Sequence, residues 1–206
     1  MVPRATYDAT LLLALFCGAT ALPTVGVTLD ASSATEPFPH NWQRSFGSGH
    51  ALLATRADWQ QHLRRCVAEL GLRGVRMHGV LDDDMSVTPD GRTFHFYNVD
   101  TVFDFLVAEG VAPIVELSFM PKALAKNKDA YAFRDRGGYK GLASPPSDYN
   151  QWYELIRAFG AHLLARYGIG VLSRWQFEVW NEMWGSARRR DRTARQEDAA
   201  TRALLS

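Results

Sequence analysis

Cysteine is nearly absent from this 206-residue sequence: the two present are Cys17 and Cys66. Cys17 falls in an N-terminal segment with the features of a removable leader. No internal disulfide then remains to staple the fold, which must rest on a hydrophobic core. Neither His-Glu-x-x-His nor Cys-x-x-Cys spacing occurs, so the common local signatures of a metalloenzyme are missing. Charge of one sign is not in excess, with 23 Lys and Arg against 22 Asp and Glu, and the balance points to no nucleic-acid partner. No apolar run approaches the ~20 residues of a bilayer span, so no stable membrane anchor is expected. What is there, 47% hydrophobic and 22% charged residues, is the composition of an ordinary globular domain.

Residues Met1 to Ala21 combine Arg4, an apolar run from Leu11 to Cys17, and Ala19-Thr20-Ala21 before Leu22, the features of a signal peptide. The alternative is a buried first strand or helix, because Asp8 closely precedes the short apolar run. Export is expected, to the extracellular space or a lysosome-like compartment. At the other end, residues 185–206 hold Arg188, Arg189, Arg190, Arg192, Arg195 and Arg202 among few large apolar side chains. This Arg-rich tail offers little to bury, and it lacks the aromatic interleaving of an RNA-binding segment.

From about residue 55 to 180, short β-branched runs alternate with longer amphipathic stretches, the pattern of repeated βα units. Trp59, Leu63, Cys66, Val67 and Leu70 recur at helical spacing, with Thr55 and Asp58 as a capping box and Gly71 as the stop, which predicts a helix over 56–70. On that stripe Cys66 is expected to be a packed thiol. Strands are predicted at Gly74–His78, Ala112–Leu117 and Trp175–Trp180. Between them lie a helix capped by Asn98 and stopped by Gly110, and another capped by Ser147, carrying Trp152, Leu155, Ile156, Phe159 and Leu163, and stopped by Gly168. The connection Ser118–Ser147 is long and polar, and loops of that length are often functional.

In a parallel α/β barrel the catalytic side chains converge where strands end. His78 ends one predicted strand, Glu116 and Phe119 flank the end of the next, and Asn181-Glu182 end the third. Trp180 and Trp184 around Glu182 supply flat apolar surface, which suits a sugar face, and partial desolvation that raises a carboxyl pKa. Glycosidic cleavage needs such an acid together with a second carboxylate. Glu116 and Glu178 lie mid-strand, where a buried ion-pair partner is the more ordinary role than catalysis. His78 is either structural or a partner for a substrate hydroxyl. Asp82, Asp83 and Asp84 suggest a solvated turn or a weak cation site.

Four segments carry a resemblance. His40-Asn41-Trp42 with Gly47-Ser48-Gly49-His50, Arg76 to Asp84, Val115 to Leu124, and Phe177 to Glu182 together resemble, in order, glycoside hydrolase family 39, the family of β-xylosidases and α-L-iduronidases. The resemblance implies a (β/α)8 barrel, retention of anomeric configuration and a carbohydrate substrate, xyloside or uronide in type, with no metal or organic cofactor. It implies Glu182 as general acid/base with Asn181 beside it, and His78 lining the subsite of the cleaved sugar. Phe119 and Trp180 are expected to contact substrate. The Glu116-Leu117-Ser118-Phe119-Met120-Pro121 segment is closer to the β-xylosidase branch.

The sequence departs from the family's pattern in two ways. Met183-Trp184 replaces the Pro that usually follows Trp-Asn-Glu, and the family's nucleophilic glutamate belongs to a later strand, so no nucleophile is assigned here. A full barrel usually takes about 250 residues. The expected architecture is therefore the N-terminal half of a (β/α)8 barrel, about four strands within residues 22–184, inactive by itself. The alternatives are a non-catalytic carbohydrate-binding half-barrel and a cellulase- or mannanase-like barrel, which also places Asn-Glu after its fourth strand.

Overall fold

Alternating strand-type and helix-type patterning produces three consecutive βαβ crossovers. The computed structural model describes residues 26, 27, 36–132, 139 and 141–181. The proposed signal segment, Glu182 and the Arg-rich tail lie outside the described residues. The chain divides into two units, Met1–Pro39 and His40–Ser206. In the first, residues 26, 27 and 36–39 are exposed coil. All the regular structure of the described residues belongs to the second.

Its strands are β1 (Phe46–His50), β2 (Gly74–His78), β3 (Ala112–Glu116), β4 (Tyr131–Ala132), β5 (Gly141–Leu142) and β6 (Gln176–Glu178). Four of them are parallel and form a sheet in the order β1-β2-β3-β6. Each new strand joins the same edge, which is how consecutive right-handed βαβ crossovers build the wall of a barrel. The crossovers are α1 (Ala57–Leu70), α2 (Tyr97–Ala108), and α3 (Tyr149–Tyr167) followed by the short α4 (Ile169–Leu172). The remaining two strands, β4 and β5, pair antiparallel within the long 118–147 connection.

Alternation along the strands separates two faces. Val75, Met77 and Val115 are buried in the core that Phe103 and Leu106 of α2, and Trp152, Ile156 and Phe159 of α3, complete. Arg76, His78, Ile114 and Glu116 occupy the alternate positions, on the other face. Helix α3 is the best-buried crossover, and its salt-bridged edge is tied to α2 by Arg166 and Tyr167 on Asp104 and by His162 on Asp100.

The strands match their predicted starts closely, but several caps differ. Arg56, not Thr55, precedes α1, and its guanidinium holds Asp58 at 2.7 Å. A 3-10 turn at Ala51–Thr55 runs straight into the helix and engages the Thr55 hydroxyl on the Leu52 carbonyl, so no capping box forms. Asn98 lies inside α2 and donates to the Met85 carbonyl. Asp148, rather than Ser147, caps α3 by accepting from the Asn150 N–H, while the Ser147 hydroxyl donates to the Leu124 carbonyl. Gly71 does stop α1, with φ of 67° in the left-handed region that favours glycine.

Cys66 is half-buried rather than packed in the core; along its stripe only Leu63 is buried and Leu70 is exposed. The reason is positional, because α1 crosses from the outermost strand β1 and has sheet and helix neighbours on one side only. Strand β1 takes in Gly47-Ser48-Gly49-His50, a segment for which no strand is predicted from the sequence.

Candidate active site

The polar face of the sheet gathers its charge at the strand ends. Glu116 and Glu178 are register partners on β3 and β6, and Arg76 projects from β2 on the same face. The Arg76 guanidinium donates to both oxygens of Glu178, at 2.6 and 2.9 Å, to Glu116 at 2.7 Å, and to Asn181 Oδ1 at 3.0 Å. One planar fork thereby fixes three groups from two other strands, which a lysine ammonium would not reproduce.

Glu116 has no exposed surface. Besides Arg76 it accepts from the Ser118 hydroxyl, and His78 Nδ1 lies 2.8 Å away. A carboxylate only accepts, so the proton on His78 sits on Nδ1 and Nε2 is left with its lone pair when the ring is neutral. Arginine only donates, so Asn181 must turn Oδ1 towards Arg76 and its Nδ2 the other way. Asn181 is buried, and Trp180 before it adopts φ of 74°. A bulky residue in the left-handed region costs of order 1–3 kcal/mol and persists only where its surroundings impose it.

An aromatic wall stands beside this cluster. Phe119 meets Trp180 edge-on, with ring centroids 5.6 Å apart, and is tilted against Tyr139 at 6.3 Å and His78 at 6.4 Å. Tyr139 in turn stacks on His50 at the end of β1, with centroids 4.4 Å apart. Gly141 on β5 is needed there, because a Cβ would collide with the Phe119 ring.

Asp82 is not part of a solvated turn. It is 4% exposed and accepts from the Phe119 N–H at 3.1 Å and the Tyr139 hydroxyl at 2.8 Å. Burial pushes its carboxyl up to about 7, against the two hydrogen bonds that favour the charged form. Asp84 is raised as well, by burial first and with His50 opposing; its carboxylate lies 3.4 Å from His50. His50 is itself lowered by burial, so it is neutral near pH 7. Nothing in the local sequence distinguishes Asp82 from Asp83, since the difference is made by residues 37 and 57 positions away.

These shifts have opposite consequences. Asp82 ionises more readily unfolded than folded, so its contribution to stability is lost as pH rises from about 4 to about 7. His50 acts the other way, weakening the fold as pH falls below the unfolded histidine value. The difference between wild type and Asp82→Asn isolates the first. The expected result is that Asp82→Asn gains unfolding free energy relative to wild type as pH rises from about 4 to about 7 in urea titrations; a pH-independent difference would contradict the burial.

Of the expected site residues, His78, Phe119, Trp180 and Asn181 are brought together, and Glu182 lies outside the described residues. Glu116 and Glu178 are the buried and half-buried partners of Arg76, the ion-pair role expected of them, although each is the last residue of its strand rather than mid-strand. Arg76 is the site residue that sequence reasoning misses. Its signal is the i, i+2 pair Arg76/His78 on one strand face, matched by Glu116/Ser118 on the next.

The family model described as Glycosyl hydrolases family 39 matches residues 25–185. The chain belongs to this family. A β-xylosidase of Caldicellulosiruptor saccharolyticus is 44% identical over 68% of the chain, and one of Geobacillus stearothermophilus is 38% identical over 73%. The human α-L-iduronidase is 29% identical over 83%. Among solved structures, a monomeric β-xylosidase from Caulobacter crescentus superposes with a TM-score of 0.72 at 31% identity, over 84% of this chain and 35% of its own. This family 39 chain spans 29–30% of the two bacterial β-xylosidases. Its four-stranded parallel sheet is the corresponding part of the family 39 α/β barrel.

Proposed function

We propose that this chain supplies the acid/base side of a retaining O-glycoside hydrolase site of β-xylosidase type. Glu182 is the general acid/base, and Asn181, His78, Phe119 and Trp180 contact the sugar. The observation that carries the reading is the convergence at the strand ends, where Arg76 holds Glu116, Glu178 and Asn181 in one network beside the Phe119–Trp180 wall. A saccharide needs that combination: flat apolar surface for its ring faces and oriented polar groups for its hydroxyls.

In the first step Glu182 protonates the leaving oxygen while a second carboxylate attacks the anomeric carbon; in the second, Glu182 takes a proton from the attacking water. Glu116 and Glu178 are both paired with Arg76. The resemblance to family 39 implies that the second carboxylate comes from a later strand, and no residue of this chain is assigned that role. His78 Nε2, with its lone pair, accepts from a sugar hydroxyl, and Asn181 Nδ2 donates to one.

The xyloside preference rests on the higher identity to the two β-xylosidases than to the iduronidases. It is tested by comparing kcat/KM of the full-length protein on xylobiose and on an aryl α-L-iduronide. The β-xyloside is the expected better substrate, and the reverse order would move the chain to the other branch. We propose further that residues 1–21 direct export. Mass spectrometry of the secreted protein is then expected to show a chain starting at Leu22, and a retained Met1 in the cell would contradict this.

A further inference from the structure

The turn after β2 and the loop after β3 are joined at several points. The Leu81 N–H donates to the Ser118 carbonyl, the Phe119 N–H to Asp82, and the Lys122 N–H to Asp83. Of the two aspartates, Asp82 is the buried one, and it reaches beyond the turn to the Tyr139 hydroxyl, far along the 118–147 connection. Gly79 makes the room: its φ is 69°, and a Cβ there would collide with Asp82 and lie 2.6 Å from the Tyr139 oxygen.

We propose that Asp82 is a positioning residue that sets the aromatic wall of the sugar site, holding Phe119 by its backbone and Tyr139 by its hydroxyl. It does not touch substrate. Its two oxygens divide the work, Oδ1 on Phe119 and Oδ2 on Tyr139, so one buried carboxyl fixes two rings that would otherwise be placed by separate stretches of loop. Phe119 is then held from three sides: by its N–H, by the edge contact with Trp180, and by the bare backbone of Gly141. The functional half of this inference rests on the glycosidase reading; the structural half does not.

Both donors are held best by an ionised carboxylate. The groups that bear on it are Asp83 and Asp84 on its own turn and Tyr139 on the loop, with His50 of β1 facing Asp84 and Glu116 of β3 acting on Tyr139. As pH rises through the titration of Asp82, the wall tightens and KM is expected to fall.

The test uses the full-length protein with xylobiose, together with amide hydrogen exchange at Phe119. Asp82→Ala is expected to raise KM by about tenfold, the loss of roughly 1.4 kcal/mol, with kcat changed far less. Exchange at Phe119 should accelerate at the same time. Asp82→Asn keeps an acceptor for the Phe119 N–H and should recover most of the KM while abolishing its pH dependence. Should Asp82→Ala fail to fold, Tyr139→Phe, which deletes one hydroxyl and keeps the ring, is expected to raise KM without altering Phe119 exchange. Unchanged KM and Phe119 exchange in Asp82→Ala would overturn the proposal, as would a loss confined to kcat. If wild type cleaves no glycoside, the glycosidase reading fails, and Phe119 exchange alone decides whether Asp82 positions the wall.

Discussion

Arg76→Ala is expected to cost the fold about 3–5 kcal/mol, the range for removing one partner of a buried ion pair. Arg76 is 26% exposed and its partner Glu116 has no exposed surface at all, so removing the guanidinium strands a buried carboxylate. The loss leaves Glu116 with Ser118 and His78, and leaves Glu178 and Asn181 without their shared donor. Arg76→Lys should recover little, because an ammonium cannot span both oxygens of Glu178 and still reach Glu116. Adding Glu116→Gln to Arg76→Ala should recover a measurable part, since it removes the stranded charge and keeps the shape. Urea unfolding of the single and double variants separates these contributions to the network. A cost below about 1 kcal/mol for Arg76→Ala, typical of a surface pair, would mean the cluster is solvated and does not organise the strand ends.

The second large effect belongs to catalysis. Glu182→Gln in the full-length protein is expected to lower kcat on xylobiose by about 10²–10⁴, the usual contribution of a positioned proton donor. The amide keeps size and shape, so the unfolding midpoint should stay near wild type. The choice of substrate matters, because a sugar leaving group needs the proton and an activated aryl group needs it much less. An aryl xyloside should therefore lose less of its first step than xylobiose does. Equal turnover of xylobiose by wild type and Glu182→Gln would remove Glu182 from the acid role.

The βα rhythm is legible because parallel strands covered by helices leave a strong periodic record: Gly74–His78 has the bounds its pattern predicts, and Gly71 and Gly168 mark helix ends where they stand. Caps are less legible. Thr55, Asn98 and Ser147 each have the right chemistry for an N-cap, but a neighbouring turn or loop carbonyl takes the side chain instead. The strand at Trp175–Trp180 is shorter than its alternation suggests, because Trp180 leaves the extended region at φ of 74°.

In the site, His78 and Asn181 are visible as strand-end residues, and the four ordered segments make the family visible. The role of Arg76 is not, since two of its partners, Glu178 and Asn181, lie 102 and 105 residues away. Nor is the burial of Asp82. Three consecutive aspartates suggest a turn in water, and only the return of the 118–147 loop encloses the first of them.

The proposed chemistry makes one measurement decisive. Proton NMR of aryl β-xyloside hydrolysis by the full-length protein, where the leaving group is not itself xylose, follows the anomer that appears before mutarotation. Two successive displacements, with Glu182 as acid and then base, predict β-xylose as the first product. First appearance of α-xylose, or no cleavage of any β-xyloside, would contradict the assignment of these strand ends to a retaining glycosidase.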